Sequence, residues 1–282
     1  MVMGILALLS ALIGVVICVC CGAFESLTWL WMLPVCWLGT LLGIALLIFL
    51  FVLLLCALVD PEKEQEKDNK FYRFVVGMIA DAAHTVLRVR VHAKGMEKIP
   101  TQGRVLLVCN HLSNADPVVL LHQVKRYQTL AFISKRENAS MFVVGKMMHK
   151  MLCQLINREN DREALKTILK CIDIIKEDKA SIAVFPEGYI YQDRLLHPFR
   201  GGVFKIALRT QVPIVVCTLQ NTQYVFRNAA HLRPTDVHFH VIGVLQPEDY
   251  RGMTAVQVAN LAYTMMAEDL GPDLVYKTEE KS

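Results

Sequence analysis

Apolar residues run almost unbroken through the first sixty positions and then thin into short, spaced groups. Residues 2–23 are continuously apolar, and at about 1.5 Å per residue a helix of that length crosses a hydrocarbon core. A second apolar stretch covers 27–59. Pro34 is expected to break it and leave a span over 36–58. Gly22, Glu25 and Ser26 supply a turn. Trp29, Trp31 and Trp37 cluster near the link, where indole rings favour the headgroup level. The pattern predicts a tight transmembrane hairpin over 1–59. A re-entrant hairpin is the main alternative. A cleaved signal peptide fits less well, because no basic segment precedes the apolar run and a second span follows.

After position 60 the periodicity changes. Residues 60–70 are a charged linker, and 71–83 place Phe71, Phe74, Val75, Met78, Ile79 and Ala82 at helical spacing. An amphipathic helix near a bilayer is expected there, so 60–84 is read as linker plus helix. Leu87, Val89 and Val91 then alternate with Arg88, Arg90 and His92, a strand pattern. From there strands are predicted over 104–109, 130–134, 153–157, 181–185, 214–219 and 237–245. Helices are predicted over 117–125, 138–150, 162–177, 202–210 and 254–268. This alternation makes 85–282 an α/β domain, a largely parallel central sheet flanked by helices.

Charge sharpens the picture. Residues 1–60 hold only Glu25 and Asp60, so all 30 Lys and Arg follow position 60, in a chain of net charge +4. Lys63, Lys67, Lys70 and Arg73 come directly after the second apolar run, and the positive-inside rule puts the α/β domain in the cytoplasm. A moderately basic domain beside an anchor suits membrane lipids and phosphorylated substrates. Nucleic acid is not expected, since no dense basic run is interleaved with aromatics. The nine cysteines show no zinc-type spacing and are expected as reduced, mostly buried thiols.

Chemistry gathers at two predicted strand ends. The apolar run 105–109 stops at Asn110-His111, and Asp116-Pro117 opens the next helix. His111 therefore sits beyond a strand's carboxyl end, where open α/β sheets place their sites. Asp116 is close enough to accept from one ring nitrogen and leave the other free to take a proton. A His-x4-Asp spacing arises readily by chance, and a structural His beside a helix-capping Asp explains it equally well. The apolar run 181–185 ends in Pro186-Glu187-Gly188, which adds a carboxylate and a glycine turn; a solvated Glu in a tight turn is the plain alternative. Cys109 or Ser113 could act as an acyl nucleophile beside His111, but a packed thiol is the simpler reading of Cys109. His238 and His240 share one strand face, with no third ligand at metal-binding spacing. Lys135, Arg136, Lys146 and Lys150 form a basic stretch that could touch membrane phosphates or an acidic carrier protein, or simply be solvated.

Four ordered blocks carry a resemblance. Asn110-His111 through Asp116 is the first, Leu152-Cys153-Gln154-Leu155-Ile156-Asn157-Arg158 the second, Phe185-Pro186-Glu187-Gly188 the third and Val212-Pro213-Ile214-Val215 the fourth. Together they resemble the glycerolipid acyltransferase family, specifically bacterial 1-acylglycerol-3-phosphate acyltransferases. The resemblance covers roughly 85–220. It implies transfer of an acyl group from acyl-CoA or acyl-carrier protein to lysophosphatidic acid, with no cofactor and no metal. It implies His111 as general base and Asp116 as its orienter. Arg158, Glu187 and Gly188 would form the acceptor site, and Pro186, Pro213 and Ile214 would support the cleft or the acyl chain. Two departures stand out. The second block carries Leu152 and Leu155 where Gly and Phe are usual. The third continues Tyr189-Ile190-Tyr191 instead of Thr-Arg-Ser, so an expected phosphate contact is lost at Ile190. Arg194 or Arg200 could replace it. The departures leave room for another lysophospholipid or a glycerol-phosphate acceptor. A membrane thioesterase or lipase is more remote, because no Gly-x-Ser-x-Gly elbow is present.

Overall fold

The computed structural model describes residues 2–26 and 31–277, which fall into two compact units, Met1–Lys63 and Glu64–Ser282. The first unit is a pair of helices, α1 (Val2–Cys20) and α2 (Met32–Ala57). Ser10, Gly14 and Cys18 recur every four residues on α1 and form its buried seam. Gly14 lets the backbones close up, since a Cβ there would lie 3.2 Å from the Trp37 backbone. Thr40 Oγ1 donates across the seam to the Ser10 carbonyl at 2.9 Å. Small residues and polar cross-links are how apolar helices pair without a hydrophobic drive between them. The outward faces carry exposed Leu12, Leu42 and Leu47.

At 26 residues α2 is long and apolar enough to cross a membrane; α1 is shorter. Pro34 does not break α2 as expected. It lies in the first turn, where backbone N–H groups have no intrahelical acceptor, so proline costs no bond. Trp29 lies outside the described residues.

The second unit begins with α3 (Lys70–Val86). Asn69 caps it, accepting from the Tyr72 N–H. The helix runs three residues past its expected end, so Leu87 caps it and the first strand starts later. Seven strands follow: β1 (Val89–Lys94), β2 (Leu106–Cys109), β3 (Leu130–Lys135), β4 (Gln154–Ile156), β5 (Ser181–Val184), β6 (Ile214–Gln220) and β7 (Thr235–Leu245). Their order in the sheet is β1-β7-β6-β2-β5-β3-β4, and only the β6–β7 pair is antiparallel. The helices are α4 (Asp116–Val124), α5 (Phe142–Lys150), α6 (Asp161–Lys176), α7 (Lys205–Thr210), α8 (Val225–Ala230) and α9 (Ala255–Leu270). The expected helix over 138–150 is split. Met141 is extended, which separates a 3-10 turn at Arg136–Ser140 from α5. The six-residue α8 has one buried residue, Val225, and is too short to carry a periodic apolar signal.

β2, β5 and most of β6 are buried on both faces, which explains their continuous apolar runs. Successive residues still face opposite layers. Leu106 and Val108 of β2 join the core that includes Ile172 of α6 and Met266 of α9. Leu107 and Cys109 join the core that includes Ala80 of α3 and Leu120 of α4. From β2 the chain crosses to β3 on one side, whereas β5 leads to β6 on the other. The carboxyl ends of β2 and β5 therefore meet where strand order reverses, the ligand-binding crevice of open α/β sheets.

Candidate active site

β2 ends at Cys109, and Asn110 fastens the chain beyond it to β6. Its side-chain amide donates to the Leu219 carbonyl at 2.9 Å and accepts from the Leu219 N–H at 2.7 Å. This pair continues the β2–β6 ladder through a side chain and fixes where His111 begins. His111 Nδ1 lies 2.7 Å from Asp116 Oδ2. The same oxygen accepts the N–H groups of Leu112 at 2.6 Å and Ser113 at 2.8 Å. Asp116 is fully buried. A carboxylate only accepts, so Nδ1 carries the proton and Nε2 presents a lone pair. Phe185 stacks on the imidazole with ring centroids 4.1 Å apart, which fixes the ring plane. The arrangement can take a proton from a hydroxyl placed against Nε2.

His111 lines a cavity of about 1300 Å³. Most of its wall is apolar, from Val76 and Ile79 of α3, Leu121 of α4, Met147 and Met148 of α5 and Leu165 of α6. Arg158, Arg200, Lys135 and Tyr189 also line it, which gives it a cationic part alongside His111. In the sequence Lys135 shows only as part of a general basic stretch. Its position as the last residue of β3 is the signal that could have placed it here. Pro186 and Gly188 line the cavity as well.

Other candidate residues do not reach the cavity, against expectation for Glu187. Glu187 does not face the cavity and is not placed to bind substrate. It is 1% exposed, and its two oxygens accept the N–H groups of His111 at 2.7 Å and His197 at 3.0 Å. It ties the end of β5 to the end of β2. Pro213 and Ile214 sit at the start of β6, with Ile214 paired to Leu106 at the opposite end of the strands, and neither lines the cavity. Arg194 does not line the cavity; its Nη1 donates to the Leu112 carbonyl at 2.8 Å. Ser113 is no free nucleophile. Its hydroxyl donates to the Thr222 carbonyl at 3.0 Å and accepts from the Ala115 N–H at 3.1 Å. Cys109 is likewise fully buried, and burial pushes its thiol well above the ordinary range. His240 Nδ1 is paired with Asp269 at 2.6 Å, and His238 stacks on His92.

Burial pushes the Glu187 carboxyl up to about 7, against the opposing pull of the two N–H donors. Its folded value therefore stands above the ordinary value of 4.5. Between those values the folded chain holds a proton that the unfolded chain has released, so this group's contribution to stability falls as pH rises. The full swing is on the order of 3 kcal/mol. Glu187→Gln removes that slope. Thermal unfolding in detergent will show the stability of the native chain, relative to the variant, dropping between about pH 5 and pH 7.5. A difference that does not change with pH would refute the assignment.

A model of the Acyltransferase family matches residues 90–220, a span that holds both strand ends and Arg158 and Arg200. A 1-acyl-sn-glycerol-3-phosphate acyltransferase of Chlamydomonas reinhardtii is 29% identical over 218 residues, covering 76% of this chain and 63% of the algal one. The chain thus spans less than two thirds of that relative's length. A probable 1-acyl-sn-glycerol-3-phosphate acyltransferase of Mycoplasma pneumoniae is 30% identical, covering 64% of this chain and 69% of its own. The crystal structure of a 1-acyl-sn-glycerophosphate acyltransferase from Thermotoga maritima superposes with a TM-score of 0.58. At 21% identity it covers 81% of this chain and 89% of its own, a likeness of fold. Because the family match runs across both strand ends and the Mycoplasma relative is matched over more than two thirds of its length, this chain belongs to the acyltransferase family.

Proposed function

We propose that this chain transfers a fatty acyl group from acyl-CoA or acyl-carrier protein to the free hydroxyl of 1-acylglycerol-3-phosphate, forming phosphatidic acid. One observation carries the reading. The His111–Asp116 pair opens onto a large apolar cavity that also holds the Arg158 and Arg200 guanidiniums. An apolar wall suits acyl chains, and guanidinium forks suit phosphate oxygens. His111 Nε2 takes the hydroxyl proton as the oxygen attacks the thioester carbonyl. The new C–O bond forms, the C–S bond breaks, and the thiolate leaves with the proton returned from His111. No acyl-enzyme is needed. A cavity of about 1300 Å³ exceeds the roughly 300–1,000 Å³ typical of one small ligand, which favours donor and acceptor bound together. The basic residues after α2 support a catalytic unit facing the cytoplasm.

The test incubates detergent-purified protein with acyl-CoA and with acyl-carrier protein against a panel of lysolipids. Lysophosphatidic acid is expected as the best acceptor; preference for a lysolipid with a neutral or zwitterionic headgroup would overturn the reading. Within that assay Arg158→Ala raises the acceptor KM about 10–100-fold, the loss of a charge-assisted contact. An unchanged KM would remove Arg158 from the acceptor site.

A further inference from the structure

Arg158 and Arg200 lie far apart in sequence but meet at one ring. Each guanidinium carbon stands 5.0 Å from the centroid of Tyr189. Among the described residues no ion pair or side-chain hydrogen bond neutralises either one. Glu137 is the acidic group whose charge acts on Arg158. Two cations held this close repel each other, and burial and then Arg200 hold the Arg158 guanidinium below its ordinary range. The negative face of an aromatic ring attracts both and offsets that repulsion.

Tyr189 is itself fixed. It follows Gly188, whose φ is 82° and where a Cβ would press on Arg200 Cδ and Nε at 3.2 Å. The Arg200 N–H donates to the Pro186 carbonyl at 2.9 Å, which fastens Arg200 to the same turn. On its other side Tyr189 meets Tyr191 edge-on at 6.3 Å, and Tyr191 stacks on His197 at 3.6 Å. His197 in turn stacks on Tyr276 at 4.4 Å. A series of rings thus runs from the two guanidiniums to the segment after α9.

We propose that Tyr189 is a positioning residue that holds Arg158 and Arg200 as a two-guanidinium clamp for a phosphomonoester dianion. The clamp supplies from Arg200, ten residues on, the cation that Ile190 does not. Two forks with no carboxylate between them match the charge and the oxygen count of a terminal phosphate better than those of a phosphodiester. The proposal rests on the acceptor reading given above and deepens it.

The test is steady-state kinetics on the full chain in detergent, with acyl-CoA and lysophosphatidic acid. Tyr189→Leu raises the acceptor KM about tenfold, as expected for two lost cation–π contacts. It leaves kcat and the donor KM in place. Tyr189→Phe keeps the ring and restores the native KM. In an Arg200→Ala background Tyr189→Leu adds much less than tenfold, because the ring acts through the arginine. Competitive inhibition by inorganic phosphate weakens in parallel with the acceptor KM. Should Tyr189→Leu fail to fold, Tyr189→Met, which fills a similar space without a π face, carries the same expectations. An acceptor KM unchanged in a folded Leu or Met variant would overturn the proposal, as would a Phe variant that loses as much as Leu. If Arg158→Ala and Arg200→Ala raise that KM while Tyr189→Leu does not, the clamp fails and the acceptor reading stands. If neither arginine matters, the acceptor reading fails.

Discussion

His111→Ala will lower thioester-dependent acyl transfer by about 10²–10⁴-fold while leaving the fold intact. The rate loss follows from the position of the ring. Nδ1 is committed to Asp116 at 2.7 Å, so Nε2 is the only basic atom of the side chain that can meet a hydroxyl in the cavity. No neighbour can substitute. Cys109 is buried with a raised thiol, the Ser113 hydroxyl is engaged with backbone groups, and both Glu187 oxygens accept N–H donors behind the strand ends. The fold survives because alanine keeps the backbone N–H that Glu187 accepts, and the lost ring stands at a cavity wall. The measurement is kcat/KM of purified protein with acyl-CoA, alongside a melting curve. Full activity in a folded alanine variant would exclude general-base catalysis by His111.

How much of this was legible in the sequence depends on direction. β2 and β5 were visible because a strand buried on both faces must be apolar throughout, and the residues at their ends follow directly. His111 and Gly188, which follow those strand ends, line the cavity, and Asp116, which opens α4, pairs with the His111 ring; Arg158, singled out by the resemblance alone, lines the cavity as well. Glu187 was not legible in that way, because sequence gives a side chain's position along the chain but not which way it points. A carboxylate after a strand can face the crevice or turn back to collect two N–H groups, and only burial distinguishes them. The choice between Arg194 and Arg200 turned on side-chain partners that no periodicity reveals, since Arg194 donates to the Leu112 carbonyl while Arg200 lines the cavity. Pro213 and Ile214 belong to the fourth block of the resemblance yet lie at the start of β6, at the far end of the sheet. Pro34 illustrates the same limit. The rule that proline breaks a helix was sound, but the helix began two residues earlier, where the rule does not apply.

Asp116→Asn is the second large effect, and it separates chemistry from architecture. One oxygen of the fully buried carboxylate accepts three N–H groups, from His111, Leu112 and Ser113. Asparagine can keep a carbonyl oxygen at that point and so retain the loop. It lacks the charge that favours the Nδ1-protonated ring, and with its amide turned it donates to Nδ1. With the carbonyl kept there Nδ1 stays protonated, but the imidazolium formed in the reaction loses its countercharge; with the amide turned the proton moves to Nε2, the atom that must be bare to act as base. The expected result is a kcat lowered about 10²–10⁴-fold, with the acceptor KM and the melting temperature close to native. Asp116→Ala behaves differently. It leaves the Leu112 and Ser113 N–H groups buried without an acceptor, at about 1–3 kcal/mol each, and so destabilises the loop as well as the ring. The two variants, compared by kinetics and by thermal unfolding, test whether Asp116 orients His111 or only builds the turn. An Asn variant with native kcat would reduce Asp116 to the second role, since the turn alone would then account for its burial.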